Sequence, residues 1–313
     1  MRIIFIGTGE IGLPALEALA RSPEHQVVAV ITQPDKPVGR QLKVTGSPIK
    51  EAAFKLHVQI YQPEKIGAAA SVAQMKYLRP DLLVVAAYGQ ILSKEVLALP
   101  RYGCLNIHAS LLPKYRGASP IHAAIAAGER ESGVTIMWMD PGLDTGDILL
   151  QEKLTLRRHE TTQSLHDRLA RLAPDALLKA LELIEAGKAP REPQDQSKAT
   201  MTKKLRKDDG HIDWTRPQRE IDAHIRAMTP WPSAYSWVGE GSERKMLKIF
   251  TTIISRRSKG KPGEILRVDR HGILVAAGVG GLLLREVQIE GKKRMHAAEF
   301  ARGFNLPVGS TLA

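Results

Sequence analysis

"MRIIFIGTGEIGLPALEAL" (residues 1–19) opens the chain, and its reading decides the fold. "RIIFI" (2–6) is a short apolar run rich in β-branched residues, the pattern of a buried strand. "GTGEIG" (7–12) turns the chain, and a helical pattern follows over 12–20. Strand, glycine turn and helix in that order start an α/β fold on a parallel sheet. The turn also matches G-x-G-x-x-G, a dinucleotide-binding fingerprint in this context. Such a site needs an acidic residue near the end of the second strand to hold the ribose hydroxyls. Here that strand ends "AVITQPD" (29–35), which puts Thr32 and Gln33 at its tip and Asp35 beyond Pro34. NAD is therefore not expected, and the glycines are expected to shape a turn beside the site.

The same rhythm continues outward. Strands are expected at 26–31, 81–87 and 103–108, with helices at 48–56, 69–77 and 119–127. "GVTIMWM" (133–139) and "DILLQEKLTL" (147–156) follow without a helix between them and read as a hairpin or edge extension. A long amphipathic helix covers 161–187. Polar, Pro- and Lys-containing sequence then reads as a linker, followed by one helix near 217–227 and five short strands. The expected architecture is an open, mostly parallel Rossmann-like α/β sheet with helices on both faces, followed by a small OB-like β-barrel. The expected boundaries are 1–189, a linker at 190–206, and 207–313.

Charge sharpens this division. The net charge is +12, and residues 201–313 carry 21 Lys/Arg against 12 Asp/Glu, an excess of nine. A basic C-terminal third on a nearly neutral body suits a polyanionic partner, most often nucleic acid. The basic runs are "KKLRK" (203–207), "SRRSKGK" (255–261) and "GKKR" (291–294). They suit phosphates, which give affinity without reading sequence. No uninterrupted apolar run reaches membrane-spanning length, so no membrane association is expected. The N-terminus lacks a signal-peptide layout, and a single cysteine, Cys104, excludes an intramolecular disulfide. A bacterial cytoplasm is the expected setting.

The chemistry points to "GCLNIHASLLPKYRGASP" (103–120). Strand alternation puts Cys104, Asn106 and His108 on one face, with Asn106 and His108 at the end where open α/β sheets place ligands. Further on, "MDPGLDTGD" (139–147) sets Asp140, Asp144 and Asp147 on a glycine-rich turn. One of these carboxylates near His108 would give an Asn, a His and an Asp around one reacting carbon. That set suits acyl transfer to an amine, with donors for the oxyanion and a group to handle the proton. Neither a zinc-type His/Cys spacing nor a calcium-loop pattern is present, so no metal is expected. Cys104, in a buried strand, is not expected to be a nucleophile.

The stretch from Asn106 to Leu149 resembles the signature region of the 10-formyltetrahydrofolate-dependent formyltransferases. The likeness includes Asn106, His108, the Ser110–Leu111–Leu112–Pro113 loop, Arg116–Gly117, Pro120, Gly133, Thr135, Met139, Asp140, Gly142 and Asp144. "TQPDKPVGR" (32–40), "WPSAYS" (231–236) and the basic C-terminal part extend it to the branch that acts on methionyl initiator tRNA. The resemblance implies Asn106, His108 and Asp144 as the catalytic set. It implies 10-formyltetrahydrofolate as formyl donor, against Tyr88, Gly89, Gln90, Ile91, Leu92, the 110–113 loop and Asp140. It implies tRNA contacts at Arg40 and Lys43, and in the basic runs at Lys204, Arg206, Arg256, Arg257, Lys292, Lys293 and Arg294. The α-amine of methionyl initiator tRNA would be the acceptor, and a monomer the working unit. A formyltransferase acting on a nucleotide sugar or other small amine is the alternative.

Overall fold

The computed structural model describes every residue except 39–42, 240, 242–243 and 305. The chain forms two compact units. The first comprises Met1–Pro120, Glu131–Thr155 and His166–Thr202; the second comprises Ile121–Arg130, Leu156–Leu165 and Lys203–Ala313.

The chain begins with β1 (Arg2–Gly7), α1 (Leu13–Arg21), β2 (Gln26–Ile31), the antiparallel pair β3 (Lys36–Val38) and β4 (Lys43–Thr45), α2 (Pro48–Lys55), β5 (Ile60–Tyr61) and α3 (Ala69–Tyr77). It continues through β6 (Leu82–Ala86), α4 (Lys94–Leu97), β7 (Cys104–His108), β8 (Arg116–Gly117), α5 (Pro120–Ala126), β9 (Glu131–Trp138), β10 (Ile148–Thr155), α6 (Thr162–Glu185) and β11 (Met201–Thr202). The main sheet has the order β10-β9-β7-β6-β1-β2-β5. Strands β7, β6, β1, β2 and β5 are parallel, while β9 and β10 extend the sheet antiparallel.

Buried strands make this sheet. Ile3, Ile4, Phe5 and Ile6 are fully buried, as are Leu82, Leu83 and Val84. Removing that much apolar surface from water is the main drive for folding. Along α6, Leu165, Leu169, Ala173, Leu177 and Leu181 recur every fourth residue and are all fully buried, as one face of a 3.6-residue helix requires. Helix α2 starts at Ser47, whose Oγ accepts the Lys50 N–H at 3.0 Å, with Pro48 in its first turn.

Connectivity sets the ligand edge. From β1 the chain moves outward to β2 and β5, then returns to β6 on the other side of β1. This is a topological switch point, and α/β sheets bind ligands at the carboxyl ends of strands beside it. The GTGEIG turn lies at this point, and its small residues permit close approach to β6. A Cβ on Gly7 would come 2.9 Å from the Ala86 carbonyl oxygen, and one on Gly12 would come 2.9 Å from Ala86 Cβ. The Gly9 N–H donates to the Ala87 carbonyl at 3.3 Å. Thr8 Oγ1 and Gln33 Nε2 both donate to the Tyr88 carbonyl, at 3.3 and 2.8 Å. The glycine turn and Gln33 of the strand tip thus brace the turn after β6.

The second unit contains α7 (Gln218–Ala227), β12 (Ala234–Val238), β13 (Lys245–Ser255), β14 (Ile265–Asp269), β15 (Gly272–Ala276), β16 (Gly281–Ile289), β17 (Met295–His296) and α8 (Ala297–Phe304). Its antiparallel sheet has the order β12-β13-β16-β15-β14, with β17 on β16. In place of a demonstrated OB-like barrel, the structure gives an antiparallel sheet whose two edges share the C-terminal residues. Ala313 exchanges backbone hydrogen bonds with Trp237 of β12 at 2.7 and 3.0 Å. Gly309 and Ser310 pair with Ile265 of β14 at 2.8 Å. The helix α8 and the β3–β4 pair are elements that the sequence reading does not anticipate.

The stretch expected to be a linker is structured through Thr202. Ile148 and Glu192 exchange backbone hydrogen bonds at 2.8 and 3.0 Å, and β11 pairs in parallel with β8. Its polar composition reads as loop, yet its amide and hydroxyl side chains find partners on the first unit. Among the described residues, no helix is long and apolar enough to cross a membrane.

Candidate active site

Strand β7 carries Asn106 and His108 to the carboxyl edge of the sheet, two residues apart and therefore on one face. Asp144 arrives from the turn between β9 and β10. That turn is built for close approach. The Trp138 N–H donates to the Asp147 carbonyl at 2.8 Å, and a Cβ on Gly146 would lie 1.8 Å from the Trp138 carbonyl oxygen. Asp140 Oδ1 accepts from Gly142 N–H at 3.0 Å and Thr145 Oγ1 at 2.7 Å. Asp140, expected at the folate site, thus shapes the turn internally. Asp144 sits at φ +52°, a left-handed conformation unfavourable for a residue with a side chain.

The Asp144 carboxylate organises the site. Its Oδ1 accepts from Asn106 Nδ2 at 3.2 Å, and its Oδ2 accepts from the Gly117 N–H at 2.7 Å. Oδ2 also lies 3.6 Å from His108 Nδ1. The other ring nitrogen, His108 Nε2, is 3.0 Å from the Tyr115 carbonyl. Both ring nitrogens therefore face oxygen acceptors, an arrangement that a doubly protonated ring satisfies best. Burial opposes that charge. It pulls the His108 pKa below its ordinary value, and the opposing pulls of Asp144 and the Tyr115 carbonyl are smaller. Burial thus favours the neutral ring in surroundings that its cation would satisfy.

The Asn106 amide has two hydrogens. One goes to Asp144, and the other has no protein partner among the described residues. Of the three carboxylates on the turn, the structure brings Asp144 to the Asn/His pair. Cys104 is buried, its Sγ donates to the Leu97 carbonyl at 3.7 Å, and burial pushes its thiol up to about 12. Such a thiol is a poor nucleophile.

The 110–113 loop is tied down from beneath. Thr135 Oγ1 donates to the Ser110 carbonyl at 2.6 Å and accepts the Leu112 N–H at 3.2 Å. Gln151 Nε2 donates to the Leu112 carbonyl at 2.8 Å. The Ser110 hydroxyl turns inward to the Lys114 carbonyl at 2.7 Å. Leu112 is buried, Leu111 is half-buried, and the Pro113 carbonyl accepts from Thr200 N–H at 3.3 Å.

The turn after β6 divides its duties. Tyr88 and Leu92 are packed in the core, at 3% and 4% exposure, and the Tyr88 hydroxyl has no partner among the described residues. Their side chains therefore support the turn from within. Gly89 adopts φ +84°, where a Cβ would also meet Gln33 Nε2 at 2.9 Å. Gln90 anchors the neighbouring loop, accepting from Ile66 N–H at 3.0 Å and donating to the Glu64 carbonyl at 3.1 Å. Ile91 is 83% exposed and Leu143, beside Asp144, is 53% exposed. The exposure of Leu143 next to the polar set is a feature that sequence pattern alone does not reveal.

In the second unit, Lys204, Arg206, Arg256, Arg257, Lys292, Lys293 and Arg294 are exposed. Arg294 is committed within the unit, paired with Glu286 and set 4.0 Å over the Phe250 ring. Arg40 lies outside the described residues, and of Lys43 only the backbone in β4 is described.

Known proteins resemble the chain over its whole length. The formyl transferase family profile matches residues 1–181, and the formyl transferase C-terminal domain profile matches residues 204–305. Methionyl-tRNA formyltransferase from Methylacidiphilum infernorum is 58% identical over 313 residues, covering 100% of this chain and 98% of the relative. The enzyme of that name from Geobacter sulfurreducens is 45% identical, covering 100% of this chain and 96% of the relative. Among solved structures, an N-formyltransferase from Helicobacter canadensis in complex with folinic acid and dTDP-3-aminofucose aligns with a TM-score of 0.66 at 18% identity, over 91% of this chain and 98% of that one. Methionyl-tRNA formyltransferase from Clostridium thermocellum aligns with a TM-score of 0.57 at 17% identity, over 82% of this chain and 95% of that one. By its two domain profiles and its full-length relatives, the chain belongs to the methionyl-tRNA formyltransferases of the formyl transferase family.

Proposed function

We propose that the protein transfers the formyl group of 10-formyltetrahydrofolate to the α-amine of methionyl initiator tRNA. The observation that carries this reading is the convergence of Asn106, His108 and Asp144 at one strand edge. The names of its full-length relatives supply the acceptor.

An α-amine has a pKa near 8, so a useful fraction is neutral at pH 7. The amine attacks the formyl carbon, a C–N bond forms, and the formyl oxygen gains negative charge. The second Asn106 hydrogen donates to that oxygen. The attacking nitrogen becomes positive and releases a proton to the His108–Asp144 pair. Protonated His108 presents N–H groups to the Tyr115 carbonyl and to Asp144, so its surroundings favour it most as the charge develops. Return of that proton to the departing folate nitrogen lets the second C–N bond break, leaving tetrahydrofolate. The 110–113 loop, Gly89 and exposed Ile91 line the folate side.

Lys204, Arg206, Arg256, Arg257, Lys292 and Lys293 attract tRNA phosphates, with Arg40 and Lys43 serving the acceptor end. The basic third supports a polyanionic acceptor over a nucleotide sugar, which would need no such surface. The enzyme works in the cytoplasm as a monomer.

The test offers methionyl initiator tRNA and a nucleotide-linked amino sugar separately, with 10-formyltetrahydrofolate. Formylmethionine on the tRNA, with no formylated sugar, supports the reading. The reverse result refutes it.

A further inference from the structure

The stretch between the α6 helix and the second unit contains a glutamine whose amide faces two ways. Gln194 is only 6% exposed. Its Nε2 donates to the Asp144 carbonyl at 2.9 Å and to the Gly146 carbonyl at 2.7 Å. Its Oε1 accepts from Arg116 Nε at 3.0 Å and Nη2 at 2.7 Å. Arg116 is 4% exposed, and its Nη1 donates to Gln196 Oε1 at 2.9 Å. The chemistry fixes the amide orientation: a guanidinium can only donate, and two carbonyls can only accept.

Arg116 occupies a central place in the chain. The preceding Tyr115 supplies the carbonyl beside His108, and the following Gly117 supplies the N–H that binds Asp144. The Arg116 N–H itself donates to the Thr200 carbonyl at 2.8 Å. Asp144 holds a left-handed backbone, at φ +52°, that the surrounding hydrogen bonds must keep in place.

We propose that Gln194 is a positioning residue for Asp144, clamping the carboxylate's backbone from behind while Arg116 fixes the orientation of the clamp. This inference rests on the functional reading above. It makes the segment leading to the second unit a working part of the active site. Arg116 is a buried cation bonded to amide oxygens, a costly arrangement for a role confined to packing. Its fork orients the glutamine amide in a way that a single-point donor cannot.

The test is Gln194→Glu. A glutamate keeps, and strengthens, the acceptor for Arg116. It loses both donors to the Asp144 and Gly146 carbonyls and sets a carboxylate oxygen against them. A role limited to satisfying Arg116 would survive this change. The melting temperature should fall, because two buried hydrogen bonds are lost. Below that transition the positioning role predicts a kcat lower by about 10- to 100-fold, and KM values within about threefold. It also predicts that the Gly117 amide, which Asp144 holds, exchanges its hydrogen about tenfold faster, over and above any change shared by the β1 and β6 amides. Wild-type kcat and Gly117 exchange in the folded variant would overturn the proposal. So would a kcat loss with Gly117 exchange raised no more than that of β1 and β6. If the glutamate variant does not fold, Gln194→Met combined with Arg116→Met, which removes the buried cation together with its acceptor, serves for the same measurements. If the wild-type protein fails to formylate methionyl-tRNA, the functional reading fails, while the Gly117 exchange still decides the clamp.

Discussion

His108 Nδ1 lies 3.6 Å from Asp144 Oδ2, close enough for an ion pair and too far for a hydrogen bond in the resting site. Burial pulls the ring's pKa down and so favours its neutral form. Replacing His108 with Ala or Gln removes this acceptor. Turnover is expected to fall by about 100- to 10,000-fold, the usual worth of a positioned acid–base group. Circular dichroism should show an intact fold. Turnover within tenfold of wild type in either folded variant would remove His108 from the chemistry.

Asn106 donates one amide hydrogen to Asp144, and in the proposed mechanism the other donates to the reacting oxygen. Asn106→Ala is expected to lower kcat by roughly 100- to 1,000-fold, as loss of an oxyanion donor does. KM should change little. Steady-state kinetics separates the outcomes, because a rise in KM alone would assign Asn106 to ground-state binding.

Three histidines make folding sensitive to mild acid. Burial pulls His108, His122 and His224 below the ordinary histidine value. Below about pH 6.5 the unfolded chain binds more protons at these positions than the folded one. Stability therefore falls as pH drops from about 7, and the loss continues until the folded-state values are passed. Melting temperatures between pH 7.5 and 5 should decline steadily, with a shallower decline in His224→Gln. A flat profile, or an unchanged slope in that variant, would contradict this.

The basic residues of the 291–294 turn should not act alike. Lys292 and Lys293 are exposed, whereas Arg294 is paired with Glu286 and stacked on Phe250. Neutralising Lys292 or Lys293 should each reduce the salt dependence of tRNA binding by about one unit of slope. Arg294→Ala should change the slope less. Filter binding across a salt series measures all three, and an Arg294 effect as large as the lysines' would show that the Glu286 pair opens on binding.

Much of this was legible in the sequence because local pattern and tertiary need agree. The run Arg2–Gly7 is apolar enough to be buried on both faces, and it forms an interior strand, between β6 and β2. Asn106 and His108 were legible as a strand-tip pair because a strand alternates strictly. The choice of Asp144 over Asp140 and Asp147 required the resemblance, since all three share one turn. The role of Gln194 was not legible, because a polar residue among prolines and lysines reads as loop. Only its two-sided hydrogen bonding, 50 residues from Asp144 and 78 from Arg116, distinguishes it. Tyr88 and Leu92 show the converse, with a pocket-like sequence context and side chains spent on the core.

The most direct measurement is a single-turnover experiment with excess enzyme, 10-formyltetrahydrofolate and methionyl initiator tRNA, using wild type and Asp144→Asn side by side. Asparagine keeps the shape of Asp144 and removes its charge, so His108 loses the partner that favours its protonated form. Wild type should convert the methionyl end to formylmethionine within the burst. Asp144→Asn should bind the tRNA equally and react about 1,000-fold more slowly or worse. A variant that forms formylmethionine at the wild-type rate would contradict the account at its centre.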